Sequence, residues 1–295
     1  MEETVTLTKQ PVTISRLQDY AQLTKMRLAS LVVFSAAMAF LLAPGAINWN
    51  HFILLIIGGF LVTGASNGFN QIMERDLDKL MTRTMLRPLP DQRMSVAEAF
   101  SLSAIMAVAG IFILTYYLNL YSGLLGMAAL MSYTLAYTPL KRVTPLSVFI
   151  GAIPGAIPPM LGWIAATGTI GAEAWILFAV QFVWQFPHFW AIAWVLDDDY
   201  KKAGFIMLPT GERNESAAFQ TLVYTICLVF VGWMPFIFHI SGLISAIVMT
   251  ATAIFFSYRS YQLYRLQSIE AARGVMFGSF IYLPVVMIAM VLDKF

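Results

Sequence analysis

Nine stretches of the chain are nearly free of charge: residues 28–44, 52–73, 96–117, 120–138, 147–166, 174–195, 217–238, 241–258 and 274–292. Each approaches the roughly 20 apolar residues that a helix needs to cross a bilayer. The runs are continuous, without the strand-like alternation of a membrane β-barrel. Lipid offers backbone amides no hydrogen-bond partner, so apolar runs of this length must be helical. The pattern predicts an all-α, polytopic membrane bundle of about nine transmembrane helices. It fills residues 28–295 as one domain, behind a cytoplasmic N-terminal segment 1–27.

The charges sort by face. Lys9, Arg16, Lys25 and Arg27 precede the first run, and Arg75, Lys79, Arg83, Arg87 and Arg93 separate the second from the third. Lys141 and Arg142 follow the fourth, Lys201, Lys202 and Arg213 the sixth, and Arg259, Arg265 and Arg273 the eighth. Of 18 basic residues only Lys294 falls on the other side. The positive-inside rule then predicts a cytoplasmic N-terminus and cytoplasmic charged loops, with the C-terminus outside. The two long loops, near 74–95 and 196–216, lie on the charged side, which is where chemistry is expected.

Composition narrows the class. The chain has 59% hydrophobic and 12% charged residues, against about 45–50% and 25% for soluble domains. A soluble enzyme, a disordered chain and a nucleic-acid-binding protein are excluded, and no nucleic-acid partner is expected. The net charge of +2 is too small to argue for a polyanionic partner. Cys227 stands alone, so no intrachain disulfide forms. Met1–Lys25 carries Glu2, Glu3 and Asp19 without an apolar core. It resembles neither a cleavable signal peptide nor an Arg-rich transit peptide.

Two acidic clusters carry the candidate chemistry. Asn70, Glu74 and Asp78 are spaced i, i+4, i+8 at the end of the second run. On a helix they form one stripe with a rise of about 6 Å per step. Two carboxylates and an amide are hard oxygen donors suited to Mg²⁺ together with substrate phosphates. Arg83 and Arg87 follow directly, and arginine matches phosphate oxygens well. The second cluster is Asp197-Asp198-Asp199 with Lys201 and Lys202 at the end of the sixth run. Three adjacent aspartates cannot share one helical face, and their repulsion calls for a nearby cation, either lysine or metal. The bland alternatives are a solvated helix end and a basic membrane anchor at Lys141-Arg142. The pairing of two acid clusters on one face weighs against the first, and the second stays open. Ser95 and Glu98 fit a capping box, so Glu98 is expected to be structural.

His51 and His239 fall at the uncharged face. His188 lies inside the sixth run, within Trp184-Gln-Phe-Pro187-His188-Phe-Trp190, about 16 Å below Asp199 along a straight helix. An ionisable residue in a span is a functional candidate. Glycines and prolines crowd Gly151–Gly162, and Gly64–Gly68 forms a small-residue seam, both of which predict close helix packing.

With these flanks, the clusters resemble the UbiA superfamily of intramembrane prenyltransferases. Asn70, Glu74 and Asp78 match its N-x-x-x-D-x-x-x-D motif, with Glu for the central Asp. Its haem-farnesylating branch is similar also in Met81-Thr-Arg83-Thr, Arg87-Pro88, Tyr137-Thr-Pro-Leu-Lys141-Arg142, Gly155–Trp163, Trp184–Trp190 and Asp199-Tyr200-Lys-Lys-Ala-Gly204. One departure is that Val195, not Asp, stands four residues before Asp199, so the second metal motif does not carry over intact. The resemblance implies farnesyl transfer from farnesyl diphosphate to a vinyl group of haem B. Mg²⁺ would be held by Asn70, Glu74, Asp78, Asp199 and, less directly, Asp198. Arg83, Arg87, Lys141, Arg142 and Lys202 would bind diphosphate, with Lys25 and Arg27 as further candidates. His188 would contact haem. The lipid bilayer and haem A synthase or terminal oxidase assembly factors are the implied partners, and a bacterial cytoplasmic (inner) membrane the location. Two other readings stay open: a sister prenyltransferase acting on a quinone precursor or chlorophyllide, and an ion-coupled transporter. The transporter would place its acids nearer the bilayer midplane.

Overall fold

The computed structural model describes residues 15–295. Lys9 and the rest of residues 1–14, where most of the expected N-terminal segment falls, lie outside the described residues. The chain is built from helices. α1 (Arg16–Leu23) meets α2 (Met26–Leu42) at a 48° bend, with Lys25 between them at φ 48°. α3 is Trp49–Asp78. α4 (Val96–Phe112) continues as a π-helical segment, Ile113–Leu118. α5 (Leu120–Met131) continues through a second one, Ser132–Tyr137, into the single turn α6 (Thr138–Leu140). α7 is Ser147–Thr167 and α8 is Ala172–Lys202. α9 (Glu215–Val231) is followed by α10 (Met234–Ile237), α11 (Leu243–Leu266) and α12 (Ile269–Leu292).

Among the described residues, seven helices are long and apolar enough to cross a membrane, and the bent α1–α2 pair makes an eighth. The remaining apolar run, 120–138, folds as the helical stretch from Leu120 to Leu140, whose regular α5 portion is only 12 residues long. The run at 217–238 breaks at Gly232-Trp233 before α10, where Pro235 lacks the amide needed to continue the helix.

The main departure from the hydropathy pattern concerns α3 and α8. Both continue past the ends of their apolar runs, at 73 and 195, to Asp78 and Lys202. At 30 and 31 residues they are about 45 Å long, well beyond the roughly 30 Å of a hydrocarbon core. Hydropathy ends where apolar side chains end. The helices persist because each charged residue on the extra turns finds a partner, and those turns carry both acid clusters.

Without a hydrophobic drive in lipid, the interior is set by close packing. α7 packs against α2, α5 and α8. A Cβ at Gly162 would collide with the Ala36 backbone carbonyl, and one at Gly155 with the Gln185 side-chain amide. α7 stays helical through buried Pro154, Pro158 and Pro159. The small-residue seam of α3 faces α4: Gly64 lies against Met106 and Gly68 against Ser103. At the far end of the bundle, Lys294 donates to the carbonyls of Leu41 (2.8 Å) and Ala43 (3.4 Å), and Asp293 accepts from the amide of Ser245 (2.7 Å).

Ser95 caps α4 by accepting from the Glu98 amide at 3.1 Å, a contact worth about 1 kcal/mol. The Glu98 carboxylate does not complete the expected box. It accepts instead from Tyr20 (2.9 Å) and Arg16 (3.4 Å), fastening α1 to α4.

Candidate active site

The i, i+4, i+8 spacing of Asn70, Glu74 and Asp78 produces what it predicts, a single buried stripe down the last turns of α3. Each rung has its own cation, and the three cations come from three different segments. Lys25, at the α1–α2 bend, donates to Asn70 Oδ1 at 3.2 Å. Lys141, after α6, donates to Glu74 Oε1 at 2.7 Å. Arg87, in the 79–95 loop, donates to Asp78 Oδ2 at 2.7 Å. The Asn70 amide also donates to Thr138 Oγ1 (3.2 Å), whose own proton goes to the Tyr133 carbonyl.

Lys141 is buried, and its ammonium lies 4.6 Å from the centre of the Tyr137 ring. Burial is the largest single influence and would lower its pKa, but the Glu74 carboxylate with Tyr133 and Tyr200 together hold it above the ordinary lysine value. Its partner Arg142 is exposed, with its guanidinium beside Gly204. The Ile206 amide donates to the Lys141 carbonyl at 2.7 Å, tying the two charged-side loops together.

Asp199 engages the rim differently from a bare metal ligand. Oδ1 accepts from the Thr82 amide (3.0 Å) and Lys202 (2.9 Å), and Oδ2 from the Arg83 amide (3.1 Å). Lys202 also donates to Thr82 Oγ1 at 3.1 Å. The end of α8 thereby clasps the loop that carries Arg83 and Arg87. The Arg83 side chain is exposed.

Asp198 is not brought to this site. Adjacent helix residues diverge by about 100°, and its exposed carboxylate is forked by Arg213 at 3.1–3.2 Å. Asp197 is buried beside Lys201 (2.7 Å) and Arg213 (3.7 Å). The repulsion within the aspartate triplet is thus relieved by three side-chain cations, chiefly Arg213. In the sequence Arg213 reads as an ordinary positive-face residue, since no local spacing links it to position 198.

Below the rim lies a cavity of about 510 Å³, within the usual size range of small-molecule sites. Its walls come from α2, α3, α5, α7, α8, α12 and the two π-helical segments, and among the described residues that line it Arg27 alone has a formal charge. Tyr137 joins the two levels, lining the cavity while its ring carries Lys141. His188 lines the lower wall, stacked on Trp184 with ring centres 4.5 Å apart.

The rim can be tested against Mg²⁺ by its donors. Asp78 Oδ1 is fully buried without a hydrogen-bond partner, and such an orphaned oxygen is costly unless something binds it. With the Asn70 amide oxygen and Glu74, it makes a hard-oxygen set of the kind Mg²⁺ takes alongside substrate phosphates. Among the described residues, no three His, Cys, Asp or Glu side chains converge closely enough to hold a metal alone. The donor set fits a metal that arrives with, and is completed by, phosphate oxygens.

A charged rim over an apolar well, inside a bundle of membrane-crossing helices, defines a multi-pass membrane enzyme for substrates with a charged head and a greasy body. Comparison with known proteins agrees: the sequence model of the UbiA prenyltransferase family matches residues 31–283. The chain belongs to that family. It is 50% identical to the protoheme IX farnesyltransferase of Cytophaga hutchinsonii over 95% of this chain and 99% of the relative. Identity to the protein of the same name from Christiangramia forsetii is 46%, over 95% of each chain. Among solved structures, one described for digeranylgeranylglyceryl phosphate synthase in membranes shares the fold with a TM-score of 0.78. It is 20% identical, covering 94% of this chain and 98% of that one. A UbiA homologue from Archaeoglobus fulgidus bound to GPP and Mg²⁺ gives a TM-score of 0.69 at 16% identity, covering 92% and 99%.

Proposed function

We propose that this protein transfers the farnesyl group of farnesyl diphosphate to a vinyl group of haem B, releasing diphosphate and forming the hydroxyethylfarnesyl side chain of haem O. The observation that carries this reading is the three-rung rim of Asn70–Lys25, Glu74–Lys141 and Asp78–Arg87 above the cavity lined by His188. The near-full-length identity to proteins named protoheme IX farnesyltransferase selects haem as the acceptor.

Arg87, Lys141 and Lys25 are held at the rim by the acid and amide partners they would release to diphosphate oxygens. Arg83, Arg142 and Lys202 stand at the exposed margin, and Arg27 on the cavity wall. Asn70, Glu74 and Asp78 are the residues that would hold Mg²⁺, with Asp199 fastening the adjoining loop. When bound, the ion supplies positive charge that stabilises the departing diphosphate. The C1–O bond of farnesyl diphosphate breaks with its electron pair leaving on diphosphate. The Tyr133 and Tyr137 rings on the cavity wall face the allylic cation with negative π surfaces, and the apolar lining keeps water from it. The vinyl group supplies the electrons of the new C–C bond. Water then adds to the resulting cation and loses a proton, which leaves the hydroxyl.

The charge distribution supports an orientation with the rim and long loops on the cytoplasmic side of a bacterial inner membrane. Haem A synthase or terminal oxidase assembly factors are the proposed recipients of the product. The reading is tested with purified protein in detergent, haem B, farnesyl diphosphate and Mg²⁺, by mass spectrometry of extracted haem. A haem that gains the mass of one farnesyl group and one hydroxyl group is expected. Unmodified haem from a preparation that releases diphosphate with a quinone precursor or chlorophyllide would replace haem as the acceptor.

A further inference from the structure

Ser279 is fully buried on α12, against the cavity wall that holds His188. Its Oγ lies 2.6 Å from the Met276 carbonyl oxygen and 2.8 Å from His188 Nδ1. A hydroxyl has one proton and two lone pairs, and a carbonyl has no proton to give. Two oxygens 2.6 Å apart repel unless a proton sits between them, so the serine proton points at Met276. Oγ is then an acceptor toward the imidazole, and Nδ1 must carry the hydrogen. A neutral imidazole has one N–H, so Nε2 keeps its lone pair. Among the described residues, Nε2 has no hydrogen-bond partner.

The same serine fixes the ring plane. Trp184 Nε1 donates to the Ser279 backbone carbonyl at 3.1 Å, and the Trp184 indole stacks on the His188 ring at 18° between planes. Phe280, next in sequence, meets the imidazole edge-on with centres 5.5 Å apart. One residue of α12 therefore sets both the tautomer and the tilt of a side chain on α8.

We propose that Ser279 is a positioning residue that locks His188 as the Nδ1–H tautomer, presenting Nε2 to the cavity as an axial ligand for haem iron. An imidazole whose distal N–H is hydrogen-bonded is the arrangement used by metal-ligating histidines. The choice of iron as the Lewis acid rests on the proposed function; the tautomer does not.

The test keeps these two apart. Full-length protein carrying ¹⁵N-histidine is studied by solid-state NMR without haem, and the His188 signals are assigned by their loss in His188→Gln. A protonated Nδ1 and an unprotonated Nε2 are expected, with the pattern mixed or reversed in Ser279→Ala. A wild-type Nε2–H tautomer would overturn the proposal with no reference to activity. Haem B is then titrated into each protein. Ser279→Ala should weaken haem binding about 10- to 100-fold and shift the Soret band, as loss of such a support does at other metal-ligating histidines. Ser279→Thr should restore both, and the KM for farnesyl diphosphate should not move. Equal haem affinity and an unchanged Soret band in Ser279→Ala would refute the ligand role. A wild-type protein that has the expected tautomer yet binds no haem would instead refute the haem reading and leave the tautomer lock in place.

Discussion

Lys141 Nζ sits 2.7 Å from Glu74 Oε1 in a pair buried on both sides, with the Tyr137 ring closing its underside. Charges this deep are stable only together. Replacing Lys141 with Met should cost about 3–5 kcal/mol, because it strands a buried carboxylate. Lys141→Met combined with Glu74→Met should recover much of that stability without recovering turnover. Thermal unfolding in detergent beside a turnover assay checks both. The pH dependence has a definite sign: with its folded pKa raised above the ordinary lysine value, the stabilisation from Lys141 is complete at neutral pH. It is lost only as pH rises through the folded value, so the wild type should show no alkaline loss from this group below about pH 10.

Asp78 combines a salt bridge to Arg87 with an orphaned second oxygen. Asp78→Asn preserves shape and removes charge. Turnover should fall at least about 100-fold, the scale for losing one preorganised electrostatic contact. EDTA should silence the wild type, and Mg²⁺ should restore it. An EDTA-insensitive wild type would dismiss the metal assignment.

Asp199 acts on backbone amides. Asp199→Ala should release the 79–95 loop, seen as faster hydrogen exchange at Thr82 and Arg83 with the helical bundle unchanged. Turnover should drop together with affinity for farnesyl diphosphate. Unchanged exchange at those two amides would mean that the clasp does not hold the loop.

Arg213 braces Asp197 and Asp198 and donates to the Trp194 carbonyl at 2.8 Å. Arg213→Ala should cost about 1–3 kcal/mol, because the Trp194 carbonyl loses its side-chain donor and the buried Asp197 loses a nearby cation. The KM for farnesyl diphosphate should stay within a few-fold, which separates bracing from substrate binding. Calorimetry and steady-state kinetics distinguish the two effects.

His188→Ala removes the imidazole from the cavity wall. It should shift the Soret band of bound haem B or weaken haem binding, measured by optical titration. If neither changes, His188 is a packing residue.

The bundle was legible because continuous apolar runs admit one solution in lipid, and the run at 120–138 is helical as that solution requires, though seven or eight helices, not nine, are long and apolar enough to cross among the described residues. The ladder on α3 was legible too, since helical period alone puts Asn70, Glu74 and Asp78 on one face. Their partners were not. Lys25, Lys141 and Arg87 lie 45, 67 and 9 residues from their respective rungs, and only the folded bundle assigns which cation meets which rung. Sequence distance likewise hid Arg213 from Asp198 and Ser279 from His188. Adjacency misled at Asp198, where proximity to Asp199 in the chain becomes divergence on the helix.

The cavity wall carries almost no formal charge, while the grip on the leaving group is confined to the rim. The two levels meet through few side chains, with Tyr137 the clearest link. Such a layout is modular: wall residues of α7, α8 and α12 can be exchanged for others of different shape while the departure of diphosphate proceeds as before. An engineer seeking to prenylate a new flat, greasy acceptor should therefore mutate the well and leave the ladder alone.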